Sequence, residues 1–162
     1  MDGRPSTGKR GRLTTTAKVT TLPLPPKKIT VVVVGHTSCG GVSASIAAAA
    51  AAAADPTLAS TPPPTSLGRY LVPLVRLAAE LRANEYVGPD TTKDEFVRKL
   101  TTANVERQVQ NLVKSEVIQR NWTTGESTLV PGKKCVKVKI HGWLHDVATA
   151  KLHDLNISQS AP

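Results

Sequence analysis

A chain of 162 residues has room for one domain with a real core and is too short for two ordinary ones. Aromatic residues make up only 3% of it, so a core must come from aliphatic side chains on secondary-structure faces, a composition that suits an α/β protein. The net charge of +9 invites nucleic acid, yet residues 1–28 hold seven basic groups against Asp2 and so carry +6 of it; the near-neutral remainder, short of stacking aromatics, argues against nucleic-acid binding.

Residues 1–27 have no apolar periodicity and end in Leu22-Pro23-Leu24-Pro25-Pro26, so a disordered basic Thr/Pro-rich leader is expected there, followed by the folded domain over 28–158. Gly3 to Arg10 almost fits a phosphate-binding loop, but Arg10 stands where a hydroxyl residue is needed and no strand precedes it. No run of about 18 apolar residues exists and no secretory core is visible, so no membrane segment is expected and the chain reads as cytoplasmic. Mitochondrial import is the alternative, because the first 28 residues are rich in Arg, Lys and Thr and poor in acids. Without a secretory route, Cys39 and Cys135 are expected as reduced thiols, and the Asn121 and Asn156 sequons carry little meaning.

The β-branched run 29–34 shows no polar alternation, which predicts a central strand buried on both faces of a parallel sheet. The alanine-rich stretch 41–54 predicts a helix, and its eight consecutive alanines predict thin packing in the later turns. Pro56 and Pro62-Pro63-Pro64 predict a loop over 55–66. Residues 67–83 predict a helix with Pro73 near its first turn. Thr92 and Glu95 have the spacing of a capping box, and Val105, Val109, Leu112, Val113 and Val117 form one apolar stripe on the helix that follows. Alternation across 134–143 predicts an edge strand with one wet face, then a turn over 145–150 and a short returning strand over 151–157.

The chemistry concentrates where the first strand gives way to the first helix, in Gly35-His36-Thr37-Ser38-Cys39-Gly40-Gly41. Open α/β sheets keep their sites at such carboxyl ends of strands. The helix N-terminus favours the thiolate form of Cys39, and thiolate and neutral imidazole are both good Zn(II) ligands. By itself the His-x-x-Cys spacing also suits a packed thiol beside a satisfied histidine.

The stretch from Ile29 to Val42 resembles the second zinc-ligand motif of the β-class carbonic anhydrases. Asn104 to Leu112 looks like that family's helix after the site, and His141-Gly142-Trp143-Leu144-His145-Asp146 resembles its C-terminal strand and hairpin, with His145 in place of an aromatic and Ala150 in place of a glycine. The resemblance implies a truncated, mostly parallel β-sheet flanked by helices, with a C-terminal hairpin. It further implies His36 and Cys39 as ligands of a Zn(II) cofactor, and reversible hydration of CO2 to bicarbonate by zinc-bound hydroxide. Homo-oligomers, or hetero-oligomers with a complete family member, are the partners it suggests.

The family's earlier Cys-x-Asp-x-Arg motif has no counterpart upstream of His36, where residues 1–35 hold no cysteine and Asp2 as the one acid. Two visible ligands fall short of the three that a catalytic zinc site uses. Two readings follow: a CO2 hydratase whose activity needs more than this chain, or a non-catalytic binding or oligomeric partner. Cys135, at the start of its strand, is expected at the opposite edge of the sheet from His36 and Cys39. His141 is expected nearer to them, and His145 and His153 in solvent within the hairpin.

Overall fold

A computed structural model describes residues 29–84, 91–127, 130 and 132–162; the expected leader over 1–27 lies outside them. The elements run β1 (Ile29–His36), α1 (Gly40–Ala54), α2 (Pro56–Ser60), α3 (Ser66–Ala83), α4 (Lys93–Lys114), α5 (Glu116–Thr124), β2 (Val138–Asp146) and β3 (Lys151–Gln159). The strands form one sheet in the order β1-β2-β3, with β1 parallel to β2 and β3 returning antiparallel. No helix among the described residues is long and apolar enough to cross a membrane.

This order reverses the expected places of two strands. β2 is the middle strand and β1 an edge, and Ile29 and Val34 are about half exposed at 47% and 49%. The reason is that helices cover one face of the sheet. Successive side chains on a strand point to opposite faces, and Ile140, Gly142 and Leu144 of β2 are buried on the side where α4 lies. Their register partners Val31, Val33 and Gly35 therefore share that side, while Val32, Val34 and His36 share the other with His141, Trp143 and His145.

α4 joins the two parts of the core. Its N-terminal half, through Phe96, Val97 and Leu100, packs with Val42, Ile46 and Ala49 of α1 and Leu77 and Ala78 of α3. Its C-terminal half, through Val109, packs with Ile140, Val31 and Val33 of the sheet and with Ile118 and Trp122 of α5. α4 can lie so close to the strands because two glycines stand beneath it. A methyl group at Gly35 would come within 2.7 Å of Thr101 Cγ2 and Val105 Cγ2, and one at Gly142 within 3.0 Å of Val105 Cγ1.

The capping box is formed as its spacing predicts: Glu95 N–H donates to Thr92 Oγ1 at 3.2 Å and Thr92 N–H to Glu95 Oε2 at 3.0 Å. The apolar stripe divides where the sequence reading ran it on. α4 stops at Lys114, Ser115 starts α5 in extended conformation, and the turn of phase buries Ile118 while leaving Val117 58% exposed. The predicted loop over 55–66 contains α2, capped by Asp55, whose carboxylate accepts from Thr57 N–H at 3.0 Å, with Pro56 in the first turn. Pro73 lies inside α3 rather than in its first turn. It stands on the exposed side of the helix, as does Arg69 four residues before it, so the hydrogen bond that proline cannot make is lost on the solvent side. The alanine run does pack thinly, leaving an apolar groove of about 950 Å³ between α1, α2 and α3.

β2 starts later than predicted because its approach is held by side chains of α5 instead of by a neighbouring strand. Asn121 donates to the Val136 carbonyl at 3.1 Å and accepts from Val138 N–H at 2.9 Å, and Trp122 Nε1 donates to the Val138 carbonyl at 2.8 Å.

Two outcomes test this packing. Gly35→Ala should lower stability by about 1–3 kcal/mol through overpacking, whereas Gly40→Ala, where a methyl meets nothing within 4 Å, should change it little; urea unfolding of both variants checks this. The Thr92 N–H, and after it the Thr92 hydroxyl, hold the Glu95 carboxyl below its ordinary pKa. A depressed folded-state pKa gives stability that is present above the unfolded value and lost as pH falls through the folded one. The stability advantage of the wild type over Glu95→Ala should therefore hold at pH 7 and shrink on acidification below about pH 4.3, the usual glutamate value.

Candidate metal site

The strand-to-helix passage has three residues in which to leave the sheet and enter α1, and hydrogen bonds to the β2–β3 turn hold it. Thr37 N–H donates to the His145 carbonyl at 2.9 Å, extending the ladder past the last residue of β1. Val147 N–H donates to Thr37 Oγ1 at 3.0 Å. Ser38 then takes a left-handed conformation with φ 57°, which is unfavourable for a side chain bearing a Cβ and costs on the order of 1 kcal/mol. That reversal brings Cys39 to the N-cap of α1, where its carbonyl accepts from Ser43 N–H at 3.0 Å.

Cys39 is a free, half-buried thiol at the positive end of the helix dipole; it makes no capping hydrogen bond and packs against the buried cluster formed by α1, α3 and α4. His36 is exposed at the carboxyl end of β1, with Nδ1 3.0 Å from the Thr37 carbonyl. A carbonyl only accepts, so in the neutral ring Nδ1 carries the proton and Nε2 keeps its lone pair. Metal-binding imidazoles are oriented in this way.

The other candidates separate. Cys135 is exposed in the segment before β2, where its N–H donates to the Gly125 carbonyl at 2.7 Å; since β1 and β2 are parallel, it lies at the opposite end of the sheet from His36 and Cys39, as expected. His141 is not beside them: it pairs with Val32 in mid-strand, and its Nδ1 lies 2.7 Å from Ser158 Oγ. His153 is exposed on β3 opposite Leu144.

His145 departs most from the sequence reading. It belongs to β2 rather than to a solvated turn, is half-buried, and stands in register with His36 on the neighbouring strand. The signal was present in the parallel β-β pairing, but fixing it required a register that one-sided alternation could not supply. Asp146 next to it closes the turn; hydrogen bonds from the Thr149 side chain, and then from the Ala148 and Thr149 amides, hold its carboxyl below the ordinary range. Thr37, Ser38, Ser43, Arg98 and Asp146 contribute to a polar cleft of about 750 Å³ beside the passage.

Among the described residues, no three of His, Cys, Asp and Glu gather into a cluster that could hold a metal ion. A thiol and an imidazole with a free Nε2 suit zinc as a pair of donors, and as a pair they are one short of a three-ligand site.

The sequence matches the model of a family described as carbonic anhydrase over residues 27–152. No curated protein matches it in sequence at a significant level. Among solved structures, it is similar to the tetrameric β-carbonic anhydrases of the filamentous ascomycete Sordaria macrospora, with 20% identity and a TM-score of 0.53 over 80% of this chain and 53% of that one. A Coccomyxa β-carbonic anhydrase in complex with acetazolamide gives 19% identity and a TM-score of 0.59 over 82% and 49%. The β-carbonic anhydrase CcaA gives 15% and 0.53 over 83% and 51%. At these identities the likeness is one of fold, and the chain spans about half the length of each of these structures.

Proposed function

Because the chain belongs to the carbonic anhydrase family and has the fold of its β class, we propose that its chemistry is the reversible hydration of CO2 to bicarbonate at a zinc held by His36 and Cys39. The observation that carries this reading is the disposition of those two side chains: one imidazole tied through Nδ1 with Nε2 free, one reduced thiol without a hydrogen-bond partner at a helix N-terminus, and a passage between them fixed by the β2–β3 turn. Zinc, when bound in such a site, acts as a Lewis acid that brings the pKa of water toward about 7. The part of this chain is to bind and orient. Thr37 fixes the His36 tautomer with its carbonyl and anchors the loop with its hydroxyl, and Ser38 turns the backbone through a left-handed conformation just before Cys39 caps α1.

These 162 residues contain no Cys-x-Asp-x-Arg motif, so the family ligands visible in them are His36 and Cys39. Zinc binding and turnover are accordingly separate properties of this chain. A second reading, favoured by the open edge of β1, is a role as an oligomeric partner, with a copy of itself or with a complete family member. Among the described residues no strand pairs with the outer edge of β1, and an edge strand without Lys, Arg, Asp, Glu or proline is a ready surface for further pairing. The tetrameric Sordaria enzymes are a precedent for assembly within the fold.

After dialysis of the purified chain against a mild chelator, about one zinc per chain should remain, and Cys39→Ala should lose it. CO2 hydration by the isolated chain, followed by stopped-flow pH change, should stay near the uncatalysed rate. Absence of zinc from the wild type, or equal zinc in the variant, would remove the metal reading. Light scattering after size exclusion should give a species larger than one chain, and Val34→Lys, placing a charge on the exposed face of the edge strand, should shift it toward the monomer; a wild type that runs as a sharp monomer would contradict the partner reading.

A further inference from the structure

We infer that the groove between α1, α2 and α3 binds an amphiphile with a single carboxylate and a long alkyl chain, the chain lying on the alanine face of α1 and the carboxylate on Arg76. The inference is independent of the metal reading, and neither His36 nor Cys39 takes part in it.

The walls call for hydrocarbon. Ala48 and Ala51 of α1, Leu58 of α2 and Leu71, Val72 and Val75 of α3 line a space of about 950 Å³, at the upper end of the range for small-molecule sites. α1 has no charged residue from Gly40 to Ala54, and its alanines are too short to close the space from their side. Leu58 is left 52% exposed. A concave apolar surface open to water gains most from an occupant that brings methylene groups to it.

The hydroxyls along the groove are already engaged in their own helices and caps. Ser45 donates to the Gly41 carbonyl, Ser60 and Thr61 donate to that of Thr57, and Thr65 Oγ1 accepts from Gly68 N–H. An extended peptide laid here would leave its N–H and C=O groups without partners, at a cost that an alkyl chain does not meet.

Charge sets the head group. Two arginines and no acidic side chain line the groove among the described residues. Arg69 is occupied in bracing the proline wall: Nη1 donates to the Pro63 and Pro64 carbonyls at 3.4 and 3.1 Å, and Nη2 to Ser66 Oγ at 3.1 Å. Arg76, about two turns further along α3, makes no hydrogen bond or ion pair with any described residue. Glu80 stands four residues on, the spacing that would ordinarily neutralise it. That carboxylate is instead taken by Arg107 of α4, whose Nη2 donates to Glu80 Oε2 at 2.6 Å. One uncompensated guanidinium beside an apolar, acid-free groove selects a head with one negative charge, and a carboxylate meets its fork with two parallel hydrogen bonds.

The test uses the full chain and dodecanoate below its micelle concentration, titrated by calorimetry, with circular dichroism confirming the fold of each variant. The wild type should bind dodecanoate, with affinity rising about 2- to 4-fold per CH2 from octanoate upward. Ala48→Trp, which fills the groove from an exposed helix position, should abolish binding, and Ala51→Glu, which sets a negative charge on the floor, should weaken it. Arg76→Gln should lower the affinity for dodecanoate about 3- to 10-fold and leave that for dodecanol unchanged, with Arg76→Lys recovering most of the loss. Failure of the wild type to bind dodecanoate, or equal binding by Ala48→Trp, overturns the site. Equal losses of dodecanoate and dodecanol in Arg76→Gln overturn the place given to the carboxylate. A wild type that ignores monomeric dodecanoate but sediments with phosphatidylglycerol vesicles makes the groove a membrane contact, and one whose light-scattering mass falls on Ala48→Trp makes it an interface between copies; either result overturns the inference.

Discussion

The close approach of α4 to the sheet over Gly35 and Gly142 is the contact on which the rest of the structure depends. Val105 lies within reach of both positions and is 2% exposed, so one β-branched side chain is fitted against two strands at once. Such a fit is possible because a glycine in a strand lets another element come nearer than any side chain would allow. The same helix, one or two turns earlier, gives Phe96, Val97 and Leu100 to the packing of α1 and α3. The fold is therefore two packing units that share a helix, and every path between them other than the chain itself runs through α4.

Local signals in the sequence were legible wherever a short-range rule decided the outcome. Thr92 and Glu95 announced the start of α4 because the capping box is satisfied within one turn. Alanine propensity placed α1, and proline limits placed the start of α2 to within the expected loop, though the capping power of Asp55 turned part of that loop into a helix. What could not be read locally was which side of an element meets a neighbour. The β-branched run in β1 has the composition of a strand covered on both faces, yet tertiary packing gives it one covered face and leaves it at the edge. The valine stripe reached past Lys114 in sequence because the 3.6-residue period continues through Ser115, while the backbone does not: the extended conformation at that residue changes the phase and buries Ile118 instead of Val117.

The site shows the same division. His36 and Cys39 are candidate ligands on their motif alone, and the structure supplies the reason the strand-to-helix passage between them holds its shape in the hydrogen bonds of Thr37. The position of His145 depends on pairing between residues separated by more than a hundred positions in the chain. The same register puts Gly35 and Gly142 beneath α4, a long-range fit that nothing written next to either histidine announces. The arrangement at the end of the sheet is thus a consequence of the core, and the one strained residue in the passage, Ser38, is held in place by a neighbour on each side that is tied elsewhere.

Because His36 belongs to the sheet and Cys39 begins the helical unit, the three-residue passage spans a boundary between bodies that otherwise meet through α4 alone. An ion gripping both would act as a rivet across that seam. Its binding energy would be spent partly on keeping α1 docked, so that the metal affinity and the cooperativity of unfolding become two measures of one coupling. Without such an ion, the α1–α3 layer would exchange its amides at a lower opening free energy than the strands, in the manner of a separate foldon; with it, the two protection levels would converge.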